Sequence, residues 1–132
     1  MKPIRFILFA FLLSIAYNGH AQSHAYLKTK ALYYSGKTKK YRYYLRFYPD
    51  ASVIGVSAYG KPSEVNNWFL KKNKTIQTGT YEIKGDSLFF DLESKTGIVK
   101  YRGLMSKKGL TIHSHSMING FQTTRNYKRL KQ

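Results

Sequence analysis

The sequence predicts an all-β domain: an antiparallel up-and-down meander of about eight strands forming a barrel or half-barrel, with one short helix near residues 62–71. Three observations predict it. Apolar and aromatic residues alternate with polar ones at period two over most of the chain beyond Tyr26. Turns rich in Gly, Asp, Asn and Lys interrupt that alternation at short intervals. Helical periodicity is confined to one segment.

The chain has 132 residues, and its first 21 read as a secretory leader. Lys2 and Arg5 supply positive charge, Phe6 to Leu13 with Ile15 and Ala16 supply the apolar run, and Gly19 and Ala21 supply small residues before a cut. An apolar stretch of about 12 residues falls well short of the roughly 20 needed to cross a bilayer. The leader is therefore expected to be cleaved after Ala21, giving an exported protein, periplasmic or extracellular. The chain contains no cysteine, which excludes a lipid anchor of the acylated-cysteine kind and disulfide staples, and so a soluble product is expected. Taking 21 residues from 132 leaves 111, the size of one domain over residues 22–132.

A first strand is expected around Tyr26 to Tyr34. From Tyr41 to Tyr48, the residues Tyr41, Tyr43, Leu45 and Phe47 share one face, while Arg42, Tyr44, Arg46 and Tyr48 share the other and are expected to be wet. Pro49 and Asp50 make a turn before a strand led by Val53, Ile54 and Val56. Pro62 suits a first helical turn, and Val65, Trp68 and Phe69 follow at i, i+3 and i+4, which predicts a helix over 62–71 packed as a lid, with Trp68 in the core beneath it. Five strands then follow over 75–84, 87–93, 97–105, 109–117 and 121–130. Their loops are short enough to force antiparallel neighbours. Eight strands suffice for a sheet to close on itself and hide its edges.

The stretch from Gly79 to Phe90, GTYEIKGDSLFF, resembles a hairpin of small secreted bacterial lipocalin-like (calycin-type) β-barrel domains. Tyr44 to Asp50, YLRFYPD, resembles another hairpin of that group, and a similar phrase occurs in the C-terminal β-domain of some F-box proteins. The resemblance implies a barrel or half-barrel that encloses an apolar ligand. Ala51 departs from it, since the group has Gly after Pro-Asp. If the position is left-handed, Ala costs about 1 kcal/mol there.

Catalytic constellations are thin, and no enzymatic activity is expected. There is no cysteine nucleophile, and the six acids Asp50, Glu64, Glu82, Asp86, Asp91 and Glu93 fall mostly in turns or on outward faces. Asp91 and Glu93 share one face of one strand, where a glycosidase needs two carboxyls opposed across a cleft. His113 and His115, at i and i+2, could bind a metal together but lack a third ligand, and Leu110 and Ile112 turn them outward. His20 leaves with the leader, and His24 lies near the mature terminus. Neither a metal nor a cofactor is expected.

The predicted inward set is Tyr43, Leu45, Phe47, Ile54, Val56, Tyr81, Ile83, Leu88, Phe90, Tyr101 and Ile112. It suits either a filled core or the wall of a cavity. Ser114 and Ser116 continue the inward face of their strand, and Arg125 shares a face with Phe121, Thr123 and Tyr127. A candidate pocket follows, formed by Tyr43, Leu45, Phe47, Val56, Trp68, Tyr81, Phe90, Tyr101, Ser114, Ser116, Arg125 and Tyr127. It suits a small hydrophobic or amphipathic ligand with an anionic head, such as a fatty acid. The net charge of +17, or +15 once the leader's two cations are gone, supports an alternative: an envelope or matrix module that binds anionic polysaccharide or lipid surfaces. Export argues against nucleic acid as partner. A monomer is expected, with no transmembrane segment in the mature chain.

Overall fold

The computed structural model describes residues 24–36, 42–69 and 77–131, without the side chains of Trp68 and Phe69. Eight strands run in sequence order: β1 (Leu32–Ser35), β2 (Arg42–Phe47), β3 (Ser52–Ala58), β4 (Gln77–Lys84), β5 (Ser87–Ser94), β6 (Gly97–Ser106), β7 (Gly109–Ser116) and β8 (Gln122–Arg129). Each pairs antiparallel with the next, and β1 pairs with β8, so the sheet closes into a barrel. A single helix, α1 (Pro62–Phe69), interrupts the meander between β3 and β4. Among the described residues, no helix is long and apolar enough to cross a membrane.

Turn chemistry sets the register. Between β2 and β3 the amide of Ala51 donates to Tyr48 O, and Tyr48 donates to Ser52 O. Asp50 Oδ1 accepts from the Ser52 amide at 3.0 Å. Ala51 sits at φ 72°, so the condition under which the sequence assigns it a cost is met.

The interior is aromatic. Phe47 meets Tyr33, Tyr81 and Phe90 edge to face at ring separations of 5.8, 5.3 and 5.5 Å, and Phe90 stacks on Tyr101 at 4.6 Å. Leu45, Val53, Leu88, Leu92, Met105, Leu110 and Ile112 pack around them. One end of the barrel is closed by residues 24–31, which carry Leu27 and Ala31 into this core. They are tied down by Lys30 N donating to Phe47 O at 2.7 Å and by Lys28 N donating to the Tyr33 hydroxyl at 2.9 Å. This strap replaces most of the first strand expected from Tyr26 to Tyr34. Lys30 takes φ 67°, which breaks the extended run, and only Leu32–Ser35 joins the sheet.

A second apolar cluster lies outside the barrel, and it corrects the expected facing of β2 and β3. Tyr44 and Leu32 are buried there with Val65 of α1, and Ile54, Val56 and Ala58 pack against them. Register explains the correction. Leu45 and Phe47 face inward opposite Gly55 and Val53, so their neighbours Tyr44 and Arg46, opposite Val56 and Ile54, face outward. Val56 therefore belongs to the outer wall and not to the interior pocket, and the same holds for Ile54. Tyr44 and Arg46 are not wet: α1 covers that face, and Arg46 keeps 3% of its exposure. Its guanidinium donates to Asn66 Oδ1 on the helix. The helix thus packs on the side wall and not as a lid over the interior.

Candidate ligand-binding site at the end of the barrel opposite the strap

The end opposite the strap gathers the C-terminal ends of β1, β3, β5 and β7 and the N-terminal ends of β2, β4, β6 and β8. Inward positions there change from hydrocarbon to polar. Arg125 on β8 places its guanidinium carbon 3.8 Å from the centroid of the Tyr43 ring on β2, across the short strand β1. A planar cation on an aromatic face at that distance is held by the ring quadrupole while its edge donors stay available.

The phenols of Tyr101 and Tyr127 belong to the same group. Burial raises the Tyr101 hydroxyl to about 12, against a smaller opposing pull from Arg125. Burial, reinforced by neighbouring Tyr101, pushes Tyr127 up further still. Both therefore remain neutral O–H donors through the physiological range. Ser114 faces inward in the next cross-strand row, and its hydroxyl lies 3.5 Å from Thr123 O. No carboxylate among the described residues pairs with Arg125. Asp86 is bonded to His24 at 3.0 Å, Asp50 lies in the β2–β3 turn, Glu64 is on α1, and Glu82, Asp91 and Glu93 are exposed. One cation and two neutral phenols thus converge with no resident anion, an arrangement suited to accept a carboxylate or similar head group.

Most of the expected pocket residues share this interior. Leu45, Phe47, Tyr81 and Phe90 form the filled aromatic half, and Tyr43, Tyr101, Ser114, Arg125 and Tyr127 form the polar half. Ser116 stands at the rim, where its hydroxyl accepts from the Ile118 and Asn119 amides and so builds the β7–β8 turn. Val56 lies outside, and the Trp68 side chain falls outside the described residues. The sequence reading missed Ser35, which is buried and pairs with Tyr43 in the sheet register. Its signal was the continued alternation from Tyr33, masked by the Gly36 and Lys37 that follow.

His113 faces outward, with Nδ1 at 3.0 Å from Thr124 Oγ1 and Nε2 at 3.1 Å from Gln122 Oε1. Both ring nitrogens are thereby engaged on the outer surface. Among the described residues no group of three or more His, Cys, Asp or Glu side chains could hold a metal ion. No protein-family model, curated protein or solved structure matches the chain.

Proposed function

We propose that the protein is a lipocalin-like carrier that binds a small amphipathic anion, such as a fatty acid, with the head group on Arg125, Tyr101 and Tyr127. The observation that carries this reading is the guanidinium of Arg125 inside the barrel, laid on Tyr43 and facing no carboxylate. Arg125 is half-buried, and a cation partly withdrawn from water without a counter-ion carries a desolvation cost. An anionic ligand removes that cost and gains charge-assisted hydrogen bonds. The aromatic packing of the strap end leaves only the polar half to a ligand, so a short chain is favoured over a long one. Exposed Ile98, Met117, Ile118 and Phe121 at the end opposite the strap offer apolar contact to a tail reaching beyond the barrel. The N-terminal leader pattern supports a carrier that works outside the cytoplasm.

Titration calorimetry with decanoate and with decanol tests the reading. Decanoate is expected to bind the wild type, and Arg125→Met to weaken it about tenfold or more, in line with the roughly 1.5–3 kcal/mol of a charged hydrogen bond. Decanol binding should change little in the same variant, and Arg125→Lys should restore part of the decanoate affinity. Equal affinity for the acid and the alcohol in the wild type, or no binding of either, refutes it.

A further inference from the structure

We propose a second binding site, independent of the barrel interior, in the cleft beside the β1–β8 seam, and its ligand is an acidic polysaccharide. The cleft measures about 620 Å³. Its walls are Ala25 and Tyr26 of the strap, Tyr33 and Tyr34 of β1, the β6–β7 hairpin and the end of β8 with the residues after it. Two of these stretches contribute five cationic residues to the lining: Lys107 and Lys108 from the hairpin, and Lys128, Arg129 and Lys131 from the end of β8 and beyond it. No acid lines it, and Asp86, which reaches the strap, is engaged by His24.

The arrangement is built. Gly109 lies so close to β8 that a Cβ there would stand 2.1 Å from Tyr127 O, and its φ of 137° suits glycine. That approach holds the hairpin base against β8. Ser106 Oγ accepts from the Lys108 amide at 3.2 Å and orders the turn that carries the two lysines. Five like charges confined in this way repel one another and focus a positive potential into the cleft. A partner with closely spaced negative charges relieves the repulsion.

The shape and the aromatic groups select among polyanions. A cleft walled by four stretches of chain admits a polymer or its side groups, whereas a flat bilayer surface meets only its rim. Binding of single-stranded nucleic acid relies on several free rings to stack successive bases. Here the Tyr34 ring already carries the Arg42 guanidinium at 5.7 Å, which leaves Tyr26 as the exposed ring. Lysine ammonium groups with one phenol edge suit the carboxylates or sulfates of a sugar chain, which needs charge spacing and little stacking.

The test uses the full chain and a heparin hexasaccharide, with a dodecathymidylate as competitor class. Wild type is expected to bind the hexasaccharide at low salt and to lose affinity steeply as salt is added. The triple variant Lys107→Gln, Lys108→Gln, Lys128→Gln should lose about tenfold or more. A triple with the same charge removed elsewhere, Lys61→Gln, Lys95→Gln, Lys100→Gln, should lose less than about threefold. Should the first triple fail to fold, Lys131→Glu alone, at an exposed position, must still weaken binding. Amide shifts should cluster at 106–109 and 128–131. Equal losses in the two triples, tighter binding of the thymidylate, no binding at low salt, or shifts confined to Arg125 and its interior neighbours would each overturn the proposal.

Discussion

Ala51 holds φ 72° where the β2–β3 turn rejoins the ladder, a conformation that costs an L-residue with a Cβ about 1 kcal/mol. The Ala51→Gly variant should therefore be more stable by about 0.5 kcal/mol, the relieved strain exceeding the roughly 0.4–1 kcal/mol of added freedom in the unfolded glycine. A raised urea midpoint at unchanged slope is the expected reading, and a lowered one would contradict the turn geometry. The buried phenols yield a pH prediction. Tyr101 titrates near 10 in the unfolded chain and is raised to about 12 in the folded one by burial, with Tyr33 and Tyr127 shifted in the same direction. Below pH 10 both states are protonated and the stability linked to these groups is fully present. Between pH 10 and 12 the unfolded chain loses protons that the folded chain keeps, so stability falls, for Tyr101 by up to about 1.4 kcal/mol per pH unit. Urea melts from pH 8 to 11 should show that decline, and Tyr101→Phe should make it shallower. A decline of undiminished steepness in Tyr101→Phe would mean the phenol is solvated.

Among the elements, α1 has the largest effect on its surroundings, because it converts the outer face of β2 and β3 from surface into interior. Val65 is buried against Leu32 and Tyr44, and Asn66 accepts from the nearly enclosed Arg46. Removing that acceptor in Asn66→Ala should destabilise the protein by about 1–3 kcal/mol, because a buried charged donor loses a partner. The check is equilibrium denaturation beside Asn67→Ala, at an exposed neighbouring position, which should have little effect. The helix also explains which parts of the fold were legible in the sequence. In β5 to β8 one face is buried and the other is wet, so alternation identified Leu88, Phe90, Tyr101, Ile112 and Tyr127 correctly. In β2 and β3 both faces are covered, and Val53, Ile54 and Val56 give no period that says which one faces inward. Only the register with β2 settles that. The candidate site followed the same division. Arg125 and Tyr127 were readable as alternate residues of one strand, but the contact of Arg125 with Tyr43 depends on how far β8 and β2 are offset across β1, which no local pattern encodes.

At the scale of the whole molecule, closure rests on its shortest joint. β5 pairs with β6, and β6 with β7, over eight residue pairs each, whereas β1 meets β8 at only two, Tyr33 with Arg129 and Tyr34 with Lys128. One further bond, Leu130 N donating to Leu32 O at 2.8 Å, extends the seam. Few ladder bonds mean little to break locally, so the barrel should open at β1 before it unfolds globally. The charge distribution adds to this. Lys128, Arg129 and Lys131 border the seam beside Lys107 and Lys108, in a chain of net charge +17, and their mutual repulsion favours separation of β8 from its neighbours. Screening weakens that repulsion within a Debye length, about 30 Å at 0.01 M salt and about 8 Å at 0.15 M. Native-state hydrogen exchange should therefore show the Leu130 amide opening at lower free energy than the amides of β5 to β7. Added salt should raise the opening free energy at Leu130 by a larger share than it raises the global value. Uniform protection around the barrel, or a salt response equal at all sites, would place the stability of closure in the core and not in the seam.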